Sequence, residues 1–549
     1  MTKYIVTVKK GTDIESFYND METLGGDSRI PSRQVSCYDR RPLSRNTGYD
    51  LEDDEVESLL KDNRVLDIQS QSLADSGVNQ PAWTQTSSDW DKSSTSTNTN
   101  RNWGLYRCVL GSQVSNWGSN GISDASATIT TTSSGKNVDV VIVDGHINTS
   151  HPEFAVNDDG TGGSRVQQFN WYSLTNEVTG NANGSYAYRS GTDLNNDNDN
   201  HGMHVAGTVA GNTQGWARDA NIYYVSPYDG QISNQYIFEY IRAWHNQKSI
   251  NPDTGRRNPT IVNNSWSTTY YLPRSSVSSI YYRGTSDTSG SWTDSELEAY
   301  GLRSRATING VDYILITQYS TAIAADIEDA VDDGIIFVGS AGNTSEKIDV
   351  PGGTDYNNYV TLSNGNTYSY HRGATYGAAV EFVVGGAPLS VCVGSVSALV
   401  NESKGTYSCC GPRVNIFAPG DNIISTLNSG TVSDSRNSSY KLGKKTGTSM
   451  ASPQVCGVLA CLLEQYPNMN QSDVIDYLNQ HAKGSQMTAT SGGYTDDTDL
   501  QGADNEYLFY FKERPETGVS IPRYTYSSRN SSSNGVKYPR TNRMVTKRQ

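Results

Sequence analysis

Four side chains at scattered positions could together carry out acyl transfer: Ser449, His201, Asp144 and Asn343. Ser449 lies in Gly447-Thr448-Ser449-Met450-Ala451-Ser452-Pro453, a small-residue turn followed at once by Val455, Val458, Leu459, Leu462 and Leu463. Those apolar spacings are helical. They place the Ser449 hydroxyl in the first turn of a buried helix, beside unpaired backbone N–H groups and the positive end of the dipole. A nucleophile that passes through an oxyanion gains from that location. Such chemistry also needs an imidazole base, a carboxylate to hold the base, and a donor for the oxyanion. His201 opens the segment HGMHVAGTVAG, Asp144 ends an apolar strand, and Asn343 ends Gly339-Ser340-Ala341-Gly342-Asn343. Singly, each has an ordinary structural reading: Ser449 as an N-cap, Asp144 as a strand-end cap, His201 as a helix-start residue and Asn343 as a turn residue. Together, in the chain order Asp, His, Ser, they match one of the known orders of a serine-protease triad.

The elements that must position these groups alternate between strand and helix from Trp103 onward, the mark of a parallel α/β sheet. Strands are expected at Asn137–Val143, Ile222–Val225, Thr260–Asn263, Ile335–Gly339, Val391–Val393 and Val414–Phe417, with helices at His201–Ala210 and Thr321–Asp333. In such sheets functional groups gather at the C-terminal ends of strands and the N-termini of helices. Two polar insertions interrupt the order, one near 157–200 and one near 268–318. Upstream, residues 1–72 read as a compact α+β unit. Its strand Tyr4–Val8 precedes a helix Ile14–Leu24 with Phe17, Met21 and Leu24 on one face, then a helix Leu51–Leu60 and a strand Val65–Gln69. Residues 73–102 are Ser/Thr/Asn-rich without periodicity and read as a polar linker containing a processing site.

Composition narrows the function. The 549 residues carry a formal net charge of -15, which argues against nucleic acid as a partner. No apolar run reaches membrane-spanning length, so no membrane partner is expected. The seven cysteines show no metal-ligand spacing and no dense disulfide pattern, so buried free thiols are expected. The start, Met1–Lys10, is a short alternating strand without the apolar segment and cleavage site of a secretory signal. The location is left open: an intracellular or virus-particle-associated one fits this start, and an extracellular one is not excluded. From Lys512 to Gln549 there are nine Lys/Arg against two Glu, a basic tail best read as solvated.

The segments VVIVDGHINTSHPEF, HGMHVAGTVAG, VNNSWS, FVGSAGN, GPRVNIFAPGDNIIST and GTSMASPQVCGVLA resemble, in order, those of the subtilisin-like serine proteases, over residues 103–485. The resemblance implies a mostly parallel sheet with helices on both faces. The 1–72 unit resembles the family's small ferredoxin-like propeptide, an intramolecular chaperone and inhibitor, and 486–549 is left as a C-terminal extension. The resemblance implies Ser449 as nucleophile, His201 rather than His204 as base, and Asp144 as its orienting partner. It implies Asn343 as oxyanion donor, with Ser265, Trp266, Ser267, Ala341 and Gly342 binding an extended protein or peptide substrate. Trp266 and the nearby tyrosines point to an apolar or aromatic cleft.

The chain departs from the family pattern at Gly145-His146, where Ser or Thr followed by Gly is usual. It departs again at Met203 for Thr, Trp266 for a smaller apolar residue and Ser267 for Gly. The family also implies a structural calcium ion. Oxygen-rich candidates for it are Asp193–Asn200 and Asp158-Asp159-Gly160, with no ligand set assigned. The resulting expectation is a self-processing serine endopeptidase. The alternative is a catalytically reduced subtilase-fold protein with a structural or virus-particle role.

Overall fold

The computed structural model describes residues 2–9, 11–27, 29–40, 46–70, 82–92, 101–114, 125–168, 172–179, 200–227, 236–374, 377, 383–384, 387–430, 432–491, 493 and 496–510. The chain divides into two compact units, Met1–Pro81 and Ala82–Arg514.

In the first unit, alternation of apolar and polar residues makes β1 (Thr2–Val8) amphipathic, and its Val6 and Val8 enter a core with Phe17, Met21, Tyr49, Leu51 and Leu59. It is followed by α1 (Ile14–Glu22), β2 (Cys37–Arg40), β3 (Asn46–Leu51), α2 (Asp53–Leu59) and β4 (Val65–Ser70). The sheet order β2-β3-β1-β4, with β1 antiparallel to both neighbours, is the ferredoxin-like βαββαβ arrangement. Two boundaries differ from the sequence reading. Helix α1 stops at Glu22, which leaves Leu24 70% exposed, and Leu51 belongs to β3. The extended Glu52 starts α2, and its capping box with Glu55 satisfies the first-turn N–H groups.

The second unit begins earlier than Trp103. The segment read as linker contains β5 (Trp83–Asp91), followed by α3 (Trp103–Leu110) and β6 (Ala125–Thr131), with β5 and β6 antiparallel. The polar alternation of β5 conceals a two-faced strand. Thr84 and Thr86 face Thr130 and Thr128 across the ladder, while Trp90 is fully buried and donates its Nε1–H to the Ala127 carbonyl.

Then come β7 (Asp139–Val143), β8 (Val166–Gln168), α4 (Asn200–Ala210), β9 (Asn221–Val225), α5 (Ile237–Gln247), β10 (Thr260–Asn264), β11 (Thr269–Pro273), β12 (Val277–Tyr282), β13 (Arg305–Ile308), β14 (Val311–Thr317), α6 (Thr321–Asp332), β15 (Ile336–Ser340), β16 (Tyr359–Leu362), β17 (Val391–Val396), β18 (Ile416–Pro419), β19 (Ile423–Leu427), β20 (Lys441–Lys445), α7 (Thr448–Gln465), α8 (Gln471–His481), β21 (Lys483–Gly484) and β22 (Glu506–Tyr507).

A nine-stranded sheet of order β21-β22-β18-β17-β15-β10-β7-β9-β8 forms the centre, parallel except at β21. β22 lies in the stretch read as a C-terminal extension, so the sheet reaches past residue 485. The central strands β7, β10, β15 and β17 are buried along their whole length, as expected for a sheet covered on both faces. On one face Val141, Val143, Val225 and Val262 pack with Ile237, Phe238 and Ile241 of α5 and Ile327 of α6. On the other, α7 lies against α4 and the strands.

The insertion near 268–318 is folded rather than a long polar loop. Antiparallel β11-β14-β13 and β12-β16 enclose a core of Leu272, Val277, Ile280, Trp292, Leu297, Leu302, Ile314, Ile316, Val360 and Leu362. Alternate residues of its strands face inward, which a count of overall polarity does not register. The seven cysteines are all free.

Candidate active site

Three in-register parallel strands deliver the site. Asn264 of β10 is level with Val143 of β7 and with Gly339 of β15. The next residues, Asp144, Ser265 and Ser340, therefore leave the same edge of the sheet side by side. That edge is the C-terminal one, where functional groups of such sheets gather.

Asp144 is fully buried, and its Oδ1 accepts from the Gly145 amide at 2.7 Å and contacts His201 Nδ1 at 2.7 Å. A carboxylate can only accept, so Nδ1 carries the proton and Nε2 is the nitrogen able to take one. The His201 side chain keeps 28% exposure, against 0% for its partner. Gly202 makes this contact possible. A Cβ at residue 202 would stand 2.2 Å from the Gly145 carbonyl oxygen, so only glycine lets the start of α4 abut the turn after Asp144. Gly145, where the family pattern has a hydroxyl, thus uses its backbone at both ends: the N–H on Asp144 and the carbonyl against Gly202. Met203 contributes too, because its Sδ accepts the Asn148 N–H at 2.9 Å.

His204, one turn on, is completely buried and bonds the Ile423 and Gly443 carbonyls through Nε2, at 2.7 and 3.2 Å. Burial pushes its imidazole down to about 3, so it is neutral and serves packing.

Ser449 is the second residue of α7 and is 7% exposed. Its Oγ donates to the Ser265 carbonyl at 3.1 Å, while Ser265 Oγ donates back to the Ser449 carbonyl at 3.2 Å. The linkage continues inward: Asn263 Nδ2 donates to Ser265 Oγ at 3.0 Å, and Ser452 Oγ donates to Asn263 Oδ1 at 2.8 Å. These buried polar groups satisfy one another and lock the end of β10 onto α7.

Asn343 lies across from the same helix start. Its Oδ1 accepts from both the Thr448 amide, at 2.9 Å, and the Thr448 hydroxyl, at 2.8 Å. With the carbonyl oxygen committed, the amide nitrogen must point the other way; it lies 3.3 Å from where a Cβ of residue 447 would be. The Thr448 hydroxyl also accepts the Gly342 N–H at 3.1 Å. The sequence reading named Thr448 within the motif but gave it no role. The available signal was its place beside Ser449, since an N-terminal Thr can bond outward rather than cap its own helix.

The remaining expected residues divide. Ser267 is exposed, and Ala341 is nearly buried, its amide donating to the Val393 carbonyl at 2.9 Å. Trp266 departs from expectation. Its ring is 5% exposed and packs into the core with residues such as Ala374 and Leu389, so it does not present an aromatic wall to solvent. A large apolar ring next to the central strands gains more from burial than from exposure.

A buried carboxylate braces the site from behind. Glu153 receives the Thr213 hydroxyl (2.6 Å), the Thr213 amide (2.8 Å) and the Gln214 amide (3.1 Å), and forms an ion pair with Arg436. Burial alone would raise this carboxyl; Arg436 and the Thr213 donors override it and hold it down to about 2. Of the oxygen-rich stretches considered for calcium, Asp158-Asp159-Gly160 and Asn200 lie among the described residues. Asp159 accepts from its own turn at Thr161, and Asn200 Oδ1 accepts from the Asn428 and Ser429 amides. Asp193–Asp199 lies outside the described residues. Among the described residues no cluster of three His, Cys, Asp or Glu side chains could hold a metal ion, and no helix is long and apolar enough to cross a membrane.

Comparison with known proteins adds the family. Over 180 residues the chain is 31% identical to Mycosin-3 of Mycobacterium tuberculosis, covering 32% of this chain and 36% of that one. It is 28% identical over 163 residues to Subtilisin E of Bacillus subtilis, covering 30% and 32%. The chain thus spans about a third of the length of these curated relatives. A cold-adapted subtilisin-like serine proteinase of known structure aligns over 75% of this chain and 98% of its own, with 18% identity and a TM-score of 0.44. The profile of the Subtilase family matches residues 135–507, which include Asp144, His201, Asn343 and Ser449. With more than half of its length matched, the chain belongs to the subtilase family.

Proposed function

We propose that the chain is a serine endopeptidase made as a self-processing precursor. The observation that carries this reading is the 2.7 Å contact between Asp144 and His201 Nδ1, made at the sheet edge where Ser449 and Asn343 also gather. Ser449 Oγ turns from the Ser265 carbonyl, gives its proton to His201 Nε2 and attacks the substrate carbonyl. Asp144 keeps His201 in the tautomer that can accept and stabilises the imidazolium. The oxyanion is taken up by Asn343 Nδ2 and the Ser449 N–H at the positive end of α7. His201 then protonates the leaving amine, and water releases the acyl group from Ser449. Ser265–Ser267 pairs with the extended substrate backbone, which makes polypeptides the substrate class.

The 1–72 unit acts as intramolecular chaperone and inhibitor until it is cut away. A structural calcium ion, its ligands unassigned, belongs to the same reading; an unfolding temperature indifferent to EDTA removes it. The enzyme itself is tested by serine labelling. An organofluorophosphonate should modify the wild-type protein at Ser449 and leave Ser449→Ala untouched, with only the wild type shedding its N-terminal unit. An unlabelled wild type would end the hydrolytic reading.

A further inference from the structure

The folded insertion starts where the proposed substrate strand ends. Only Thr268 separates Ser267 from β11, and the Thr268 carbonyl is held by the Gln318 amide at 2.8 Å. β11 is an edge strand. It pairs on one side with β14, and among the described residues no strand pairs with its other side. Such an edge is a row of N–H and C=O groups that another extended chain can pair with.

The sheet behind that edge carries apolar side chains on both faces. Leu272, Ile314 and Ile316 point into the insertion's core. Alternation along the strands, with the pairs Tyr271↔Leu315, Ala306↔Tyr313 and Ile308↔Val311, puts Tyr271, Leu315, Tyr313, Ala306, Val311 and Ile308 on the opposite face. There Tyr271 is 53% exposed, Ile308 43% and Val311 39%. The rings of Tyr271 and Tyr313 meet edge to face, 6.1 Å apart. Exposed apolar residues scattered singly need no explanation, but contiguous ones mark an interaction surface.

We propose that this surface is a docking site for the substrate itself, a deepening of the proteolytic reading on which it rests. The substrate segment N-terminal to the cleaved bond runs antiparallel along Ser265–Ser267 and continues along the open edge of β11. It lays apolar or aromatic side chains against Tyr271 and the face behind it. From Ser265 to Pro273 the track is roughly 26 Å at about 3.3 Å per residue. The favoured substrates are therefore proteins in which an extended, apolar, β-prone stretch of about eight residues precedes the cleaved bond. The occupant is a polypeptide because the edge offers backbone donors and acceptors. It is the substrate because this edge continues, within two residues, the segment whose Ser265 carbonyl holds Ser449 Oγ.

The test uses the full chain after self-processing and four quenched peptides. The first is a four-residue core, the second that core preceded by Val-Tyr-Val-Thr-Val-Thr, the third the core preceded by Ser-Gly repeats, and the fourth the core followed by the apolar stretch. The second peptide should exceed the first and third at least tenfold in kcat/KM, mostly through KM. The double variant Tyr271→Ser, Val311→Ser should bring that gain below threefold while cleaving the bare core at the wild-type rate. A gain that survives in the variant, is matched by the Ser-Gly peptide, or belongs to the C-terminal extension overturns the proposal. So does an edge-to-edge dimer, seen by sedimentation, that the double variant abolishes. In a second arm, fluorescence anisotropy measures binding of the second and third peptides to fluorophosphonate-treated protein. If no peptide is cleaved, the hydrolytic reading fails, and the docking proposal stands or falls on whether the second peptide binds tighter than the third in a Tyr271-dependent way.

Discussion

Replacing Gly202 by Ala isolates the geometry on which the proposed chemistry depends. The new Cβ would lie 2.2 Å from the Gly145 carbonyl oxygen, 2.7 Å from its carbon and 3.0 Å from its nitrogen, all backbone atoms that no rotamer can move. Restoring an ordinary contact requires the start of α4 and the turn after Asp144 to separate by about 1 Å, which is enough to stretch a good hydrogen bond out of range. The contact at risk is Asp144 Oδ1 to His201 Nδ1, now 2.7 Å. A misplacement of about 1 Å costs roughly 100-fold, and complete loss of the orienting carboxylate costs roughly 10,000-fold. The variant should therefore lose between about 100- and 10,000-fold in kcat/KM, or roughly 3 to 5 kcal/mol of transition-state stabilisation. Alanine is the better helix former by about 1 kcal/mol, so helix propensity opposes this loss and cannot cause it. The assay is hydrolysis of a short chromogenic peptide, with release of the N-terminal unit as an internal readout and the unfolding temperature as a check on folding. A folded variant within threefold of wild type would refute the reasoning.

Three further outcomes follow from the same contacts. Thr448→Val removes the hydroxyl that bonds Asn343 Oδ1 and the Gly342 amide but keeps the backbone N–H. It should lower kcat about tenfold, the worth of a hydrogen bond of roughly 1–1.5 kcal/mol, with KM unchanged and Thr448→Ser restoring activity; a shift in KM alone speaks against a positioning role. The mature protein should retain Trp83–Lys92, because Trp90 is fully buried, the Trp83 indole donates to the Trp216 carbonyl and buried Lys92 pairs with Glu402. Intact and peptide mass spectrometry would contradict this by finding a mature form that starts at Trp103 with no 83–92 peptide bound. Glu153 predicts an acid limb. Its folded carboxyl titrates at about 2, below its ordinary value of 4.5, so its stabilisation is complete above about 4.5 and is lost as pH falls toward 2. Glu153→Gln should destabilise the protein by about 3 kcal/mol at pH 7 and flatten that limb, both measurable by denaturant titration; an unchanged acid limb would show that other carboxylates govern it.

How much of this was legible in the sequence depended on how local each signal was. The strands that end at Val143, Asn264 and Ser340 announce themselves as short apolar runs because both faces are buried, and glycines mark where helix and turn must touch. The polar strand β5 was not legible. Its threonines match threonines 40-odd residues away, and only that pairing makes them strand residues rather than linker. The insertion was misread for the opposite reason: Tyr, Ser and Thr at its surface outnumber the buried Leu, Ile and Val that organise it, so bulk polarity hid a period of two. Trp266 shows the limit of residue type as a guide. An aromatic beside a cleft suggests a wall, yet the ring faces inward, because a residue just past a buried parallel strand is as close to the core as to the surface.

The coupling between the two halves of the candidate site was likewise invisible in sequence. Glu153 follows Asp144 by nine residues and binds Thr213 and Gln214, which follow α4, the helix that carries His201. One buried carboxylate thus ties the segment that follows Asp144 to the turn that follows the helix carrying His201, and Arg436 closes the cluster from the segment before β20. A buried charge so fully bonded gains specificity of arrangement more than net stability. It fixes the two backbones against each other from behind, while Gly202 fixes their approach in front. Between those two constraints the distance from Asp144 to His201 is set by backbone and buried charge rather than by the side chains at residues 145 and 203.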